Sequence, residues 1–482
     1  MILSTDNRIF MKRKFIYLPY IFLFIVGSFA ACKVGKDIDR PELELPKQFN
    51  QQSYADTSSI ADIEWKKFFT DPVLQELIQR GITYNYDFML AIKRMEIAQQ
   101  QVKQAKNLQL PQLDLQLAAQ YNRLSDNSLA GKSTSSFLGK NHVENYLAVA
   151  TLSWEADVWG KFRRQKEATI VGYLQTYEGV KAVQTSLVAE IAQGYFNLLM
   201  LDKQLSIARK NLALRDSFVI ATRLLRQGGV VNSLAVQQAE SQKLTTAQLV
   251  PSLEQDIALQ ENALQILTGQ LPGPVSRHSA MDPLAIPDDL PAGLPVSMVS
   301  RRPDVRSAEL ELKIANAQVG IAQANMYPAI NITAGGGFES FKASNWFNIP
   351  NSLFGLAAGS IAQPIFQRRE LKTKFEIAKI EREQAVIQFR QSVLQATGEV
   401  FDALVQVDKL KEQELIASAQ VDTLNHAVFN AKLLFRSDMA NYLEVITAQG
   451  FVLLAELDLA SVQRQQLSAK VELYRSLGGG WK

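Results

Sequence analysis

Cysteine is almost absent from this chain. Cys32 is the only one among 482 residues, so no disulfide can form within a single copy. Histidine is nearly as scarce: His142, His278 and His426 are widely spaced, and no HExxH or paired-cysteine pattern offers a metal site. A phosphate-binding glycine loop is also missing. The acidic residues show no arrangement that demands acid–base chemistry, and no nucleophile–base pairing stands out. Neither an enzyme nor a cofactor is expected. The formal net charge is only +3, and residues 1–31 account for it, holding Arg8, Lys12, Arg13 and Lys14 against Asp6. Without them 47 residues of each sign remain, so the balance gives no support to a nucleic-acid partner.

Met11-Lys12-Arg13-Lys14 followed by an apolar stretch at 15–29 and then Ala30-Ala31 reads as a signal peptide, with Met11 an alternative start. Pro19 and Gly27 break that stretch, which is short for the ~20 residues of a transmembrane helix. A lone cysteine is usually an inert buried thiol. Directly after two alanines at the end of an apolar run, Cys32 resembles instead the lipidated first residue of a bacterial lipoprotein, although Phe29 stands where leucine is usual.

The chain repeats itself. Asp87, Ala91, Ile97, Ala98, Gln101, Val102, Ala105 and Pro111 recur 217 residues later as Asp304, Ala308, Ile314, Ala315, Gln318, Val319, Ala322 and Pro328. Further on, Arg226, Leu234, Val236 and Ala239 recur as Arg436, Leu443, Val445 and Ala448, with one residue fewer between. Each half reads as helix, strand, long loop, strand, long helix, turn, helix. Pro272, Pro274, Pro283, Pro287, Pro291, Pro295 and Pro303 mark a joining segment. The expected domains are a signal peptide at 1–31, a lipid-anchored extension at 32–63, one repeat at 64–268, a linker at 269–300 and a second repeat at 301–482.

Proline is withheld between Pro111 and Pro251 and after Pro364. In the first stretch Val183, Leu187, Ile191, Tyr195, Leu198, Leu201, Leu205, Ala208 and Leu212 fall three or four apart, a sustained coiled-coil seam. As one helix, 166–226 would span about 90 Å, with a set of helices broken at Gly172, Gly179 and Gly194 as the alternative. Gly228-Gly229 with Asn232-Ser233, and Ser437-Asp438 with Asn441, are the expected turns. After Pro111 the period drops to two. Leu113, Leu115, Leu117, Ala119 and Tyr121 alternate with mostly polar neighbours, and Ala148, Ala150, Leu152, Trp154, Ala156 and Val158 do so later. Ile330, Ile332 and Phe338 repeat this weakly, and a fourth strand is expected near 354–365. Such strands suit a membrane barrel or a half-buried soluble sheet; the signal peptide and anchor favour the barrel. Four strands cannot enclose a channel, so copies must associate.

Four stretches resemble the TolC-like outer membrane factors, in particular the lipoprotein branch paired with resistance–nodulation–division pumps. They are Trp65 to Ile78, with Asp71-Pro72; Ser153 to Gly160, with Trp154 and Trp159; Arg301-Arg302-Pro303-Asp304-Val305 running to Pro328; and Leu473 to Trp481. The resemblance implies a homotrimer whose twelve strands form one outer-membrane barrel above a periplasmic α-helical tunnel. It implies as partners an inner-membrane pump, a periplasmic adaptor and outer-membrane lipid. Loops 123–145 and 339–353 would face outside, with His142-Val143-Glu144 a solvated stretch of the first.

In that family a carboxylate ring and polar contacts close the tip. The motif puts Glu444 at the acidic position, Thr447 one turn on and Phe435 at the aromatic position. Ala440 and Thr447 stand where some members carry a basic residue and a second carboxylate. Two other readings remain: a duct for type I protein secretion, and a periplasmic coiled-coil scaffold that never spans the membrane.

Overall fold

The computed structural model describes residues 36–41, 59–277, 295–437 and 439–482. The signal peptide, Cys32, His278 and Asp438 therefore lie outside the described residues. In chain order the elements are α1 (Trp65–Phe68), α2 (Pro72–Tyr84), α3 (Tyr86–Lys106), β1 (Gln112–Arg123), α4 (Leu129–Leu138), β2 (His142–Glu155), α5 (Lys161–Gln227) and α6 (Ser233–Leu267). The second half follows with α7 (Pro295–Arg301), α8 (Pro303–Ala324), β3 (Ala329–Ser340), β4 (Leu353–Ala362), α9 (Glu370–Arg436) and α10 (Tyr442–Ser476). The repeat is visible in the lengths. α5 and α9 have 67 residues each, and α6 and α10 have 35 each.

Two compact units interleave along the chain. The first holds the described residues up to Pro41 with 97–173 and 310–387; the second holds 59–96, 174–309 and 388–482 where described. In the first unit the strands form one antiparallel sheet of order β1-β2-β3-β4. Its helical junctions use the tryptophans of the sequence motif. The Trp154 indole donates to the Gln109 carbonyl at 2.9 Å, and the Trp159 indole to the Pro328 carbonyl at 2.7 Å. The Trp159 ring lies over Tyr327, centroids 4.8 Å apart. Asp157 accepts from the backbone of Phe162 and Arg163, satisfying donors at the open start of α5. Residues 36–41 run back onto the same unit: Asp37 pairs with buried Arg164 at 2.9 Å, and the Asn316 amide both donates to and accepts from the Ile38 backbone.

The core of the second unit is aromatic. Phe68 stacks on Tyr474 with centroids 4.1 Å apart, and Phe69 meets Phe68 edge-on at 4.9 Å. The Tyr474 hydroxyl donates to the Ile63 carbonyl, and burial pushes its pKa up to about 12. Gly479 is obligatory beside it, since a Cβ would sit 2.3 Å from the Tyr474 ring. Asp71 caps α2 by accepting from Val73 and Leu74, and its other oxygen accepts from the buried Tyr195 hydroxyl at 2.7 Å. Arg302 is 4% exposed; it grips both oxygens of Asp304, one of Glu399 and the Ser476 carbonyl. The motif residues are thus joints between elements.

Several expectations need correction. α5 is the single long helix expected, unbroken at its glycines, but it starts at Lys161 and not at 166, and Pro251 lies inside α6. β2 starts at His142 and stops at Glu155, so His142-Val143-Glu144 is strand and not loop, while Ala156 and Val158 fall beyond the strand. The expected outer loop at 123–145 contains α4, and β4 ends at Ala362, before Pro364. Near His142 the outward positions of β2 are His142 and Glu144 and the other face starts with Val143, so the outward-apolar alternation of the rest of the strand stops short of this end. Within the expected linker, Pro295–Arg301 is helical.

Candidate functional site

The strand register sorts the sheet into two unlike faces. One carries Leu113, Leu115, Leu117, Ala119 and Tyr121 of β1, opposite Leu152, Ala150, Ala148, Tyr146 and Glu144 of β2. It continues through Ile332, Ala334, Gly336 and Phe338 of β3 and Gly359, Ala357, Gly355 and Leu353 of β4. From Trp154 to Tyr146 no charge interrupts this face. Leu113, Leu115 and Leu117 are 69%, 75% and 66% exposed, too much leucine surface for water to be its medium. The other face brings Gln112, Asp114, Gln116 and Gln120 beside Ser153, Thr151 and Asn145, with Asn331 and Thr333 further along. Lipid on one side and water on the other suits this division.

Aromatic residues bound the apolar band. Trp154 stands at the helical end, and at the hairpin end Trp346 lies 5.4 Å from Tyr146 and Phe347 lies 5.5 Å from Phe338, centroid to centroid. The eight steps from Tyr146 to Trp154 cover about 26 Å of strand, the scale of the ~25 Å apolar band of membrane barrels. Leu115→Arg, at mid-band opposite Ala150, is expected to cost about 2–4 kcal/mol and deplete the protein from the outer-membrane fraction. Gln116→Arg, on the polar face, should leave it there. Equal loss from both would show the faces to be wrongly assigned.

The second unit contains two helical hairpins. At the first turn Gly229 takes φ of 78°, which glycine adopts freely, and Asn232 caps α6 by accepting from Ala235. At the second, Asn441 caps α10 by accepting from Leu443 and Glu444. The hairpins touch: the Tyr442 hydroxyl donates to Gln238 at 2.8 Å, and Val219, Ala239 and Ile446 form a small apolar cluster. Asn211 and Lys203 of α5 donate to Glu456 and Gln463 of α10. α10 is long and apolar enough to cross a membrane, yet Val445, Leu453, Leu467, Leu473 and other apolar residues of it are buried in packing.

Glu444 and Thr447 are both exposed and, three residues apart, share one face at the start of α10. Phe435 is half-buried at the end of α9, with its ring 6.3 Å from that of Phe218. Sequence reasoning missed the Tyr442–Gln238 link, whose partners are 204 residues apart. It also missed Arg215, which is 5% exposed, donates to Gln242, and has its pKa lowered by burial. Among the described residues no group of acidic, histidine or cysteine side chains could hold a metal.

The profile of the Outer membrane efflux protein family matches residues 77–270 and again 294–479. The chain belongs to this family. Its relatives include the probable outer membrane lipoprotein SilC of Salmonella typhimurium, 28% identical over 98% of this chain and 99% of that protein. The cation efflux system protein CusC of Escherichia coli O6:H1 is 27% identical over 94% of this chain and 97% of its own length. The toluene efflux pump outer membrane protein TtgF of Pseudomonas putida is 28% identical over 96% and 97%. A crystal structure of CusC superposes with a TM-score of 0.83 at 26% identity, covering 93% of this chain and all of that one. This outer membrane efflux protein is therefore an efflux channel of the outer membrane, with two tandem repeats, four barrel strands per chain and long coiled-coil helices.

Proposed function

We propose that three copies of this chain close a twelve-stranded barrel and a helical duct through the periplasm. Solutes then pass outward from a resistance–nodulation–division pump by way of an adaptor. One observation carries the reading: among the described residues the sheet has two unpaired margins, β1 and β4, and an outward face with no charge between Trp154 and Tyr146. Open edges are intolerable in hydrocarbon, and four strands are too few to surround a pore. Neighbouring copies supply the missing pairing, β4 of one against β1 of the next. Native mass spectrometry in detergent should find three chains per particle; a particle of one chain would end the proposal.

Cys32 is the proposed lipid anchor, following cleavage after residue 31. Lys36, four residues on, gives its carbonyl to Arg382 in the unit that carries the sheet. Four residues reach about 14 Å at most, which keeps acyl chains close to the barrel. The cargo is small solutes, in line with cations for CusC and toluene for TtgF. At the tip, three copies of Glu444 would ring the axis and attract cations, with Thr447 beside them. Phe435 braces the hairpin behind the ring. Glu444→Ala should lower the cation preference of single channels in planar bilayers, read from reversal potentials in a salt gradient. An unchanged preference removes Glu444 from the aperture.

A further inference from the structure

At the hairpin end of the sheet the lipid-facing side changes abruptly from uncharged to charged. β1 ends on Arg123 and β2 begins with His142 and Glu144, all at register positions of the face that carries Leu113 to Tyr121. The strand connections add Lys140 and Lys342. Together Lys140, His142, Glu144, Lys342, Phe137 and Phe341 line a cavity of about 280 Å³. Its one carboxylate is already engaged, since Glu144 lies 3.5 Å from the His142 imidazole and accepts from the Tyr146 hydroxyl at 3.1 Å. Lys140 and Lys342 form no ion pair among the described residues, and the Lys342 ammonium stands 5.7 Å from the Phe341 ring. Phe137 and Phe341 are 89% and 59% exposed.

We infer that this cavity binds the phosphorylated headgroup of a glycolipid in the outer leaflet. The two lysines hold the phosphate, and Phe137 and Phe341 rest against the sugar and the upper acyl chains. Depth decides the class of ligand. The cavity begins where the apolar band ends, beyond Tyr121 and Tyr146, which is where headgroups lie. Two ammonium groups without a carboxylate partner attract an anion, and two exposed phenyl rings beside them offer an apolar contact; a phosphorylated lipid uses both features, whereas a soluble anion uses only the first. The inference rests on the outer-membrane position of the sheet and is independent of pump, adaptor and tip.

The test uses the full chain purified in detergent, with bisphosphorylated lipid A as the probe. Binding is followed by native mass spectrometry, and heat stability of the assembled protein serves as the folding control. Lys140→Gln combined with Lys342→Gln should weaken binding by about tenfold at unchanged heat stability, and the paired Lys→Arg variant should bind close to wild type. Dephosphorylated lipid A should bind the wild-type protein as weakly as lipid A binds the glutamine variant. Millimolar inorganic phosphate should fail to displace the lipid. Equal affinity of the glutamine variant, equal binding of the dephosphorylated lipid, or displacement by inorganic phosphate would each overturn the assignment. Conductance of the glutamine variant in phospholipid bilayers checks the channel itself, so loss of the lipid site and loss of the channel are read separately.

Discussion

Replacing Arg302 with alanine should destabilise the second unit by about 1–3 kcal/mol, because it leaves the Ser476 carbonyl without its donor, while Asp304 and Glu399, 52% and 41% exposed, can turn to water. Arg302 has four oxygen partners on three parts of the chain: both Asp304 oxygens next to it, Glu399 on α9 and the Ser476 carbonyl at the end of α10. Burial opposes its charge, but Asp304 and Glu399 outweigh that, and its pKa lies above that of a free guanidinium. Lysine in its place keeps the charge and loses the fork, so it should fall between arginine and alanine. Thermal unfolding of the purified protein, followed by helical circular dichroism, reads the series. An alanine variant that melts with wild type would remove Arg302 from the stabilising network. The network is also acid-sensitive. Burial pushes the Asp304 carboxyl up, yet the Arg302 guanidinium overrides this and holds it below the usual carboxylate range. Its stabilisation is therefore complete above the ordinary carboxylate pKa of about 4, and is lost as pH falls through the lowered value.

Gly337→Ala should prevent β3 from seating on β2, and with it the membrane-inserted form. A Cβ at Gly337 would lie 1.9 Å from the Ala148 carbonyl oxygen and 2.8 Å from the Val149 Cα, both backbone atoms in a paired strand. Backbone has nowhere to go without breaking the ladder, so the cost is at least the ~1–3 kcal/mol of ordinary overpacking. Gly336→Ala is the matched control. Its nearest neighbour would be the Phe354 carbonyl oxygen at 3.5 Å, an ordinary contact. Outer-membrane yield and resistance to dissociation on warm gels should fall for Gly337→Ala alone; equal behaviour of the two variants would show that the close approach is relieved in the assembled barrel.

The same glycines explain why β3 was hard to read. Gly335, Gly336 and Gly337 bear no side chains, so a period of two has nothing to mark it, whereas β1 announces itself through Leu113, Leu115 and Leu117. The long helices were legible because proline is missing from α5 and apolar residues step regularly through it. Pro251 is tolerated in α6, where no periodicity argument would have placed it. α4 went unseen because Leu129–Leu138 is rich in serine, although Ser128 caps it and Gly139 ends it in the left-handed region at φ 68°. At the tip, the caps at Asn232 and Asn441 follow from local chemistry and could be read directly. The packing of Phe435 on Phe218 and the bond from Tyr442 to Gln238 join distant stretches, and nothing local encodes them.

The matched helices restrict how such a chain can change. With 67 and 35 residues in each copy, an insertion in one hairpin would shift its own seam and leave its twin unaltered. Seven added residues make about two helical turns and keep each helix's own apolar stripe, so what has to be matched is the length of ascending and descending arms in both copies. Reach across the periplasm can therefore be lengthened only in fourfold steps, by simultaneous heptads in all the arms.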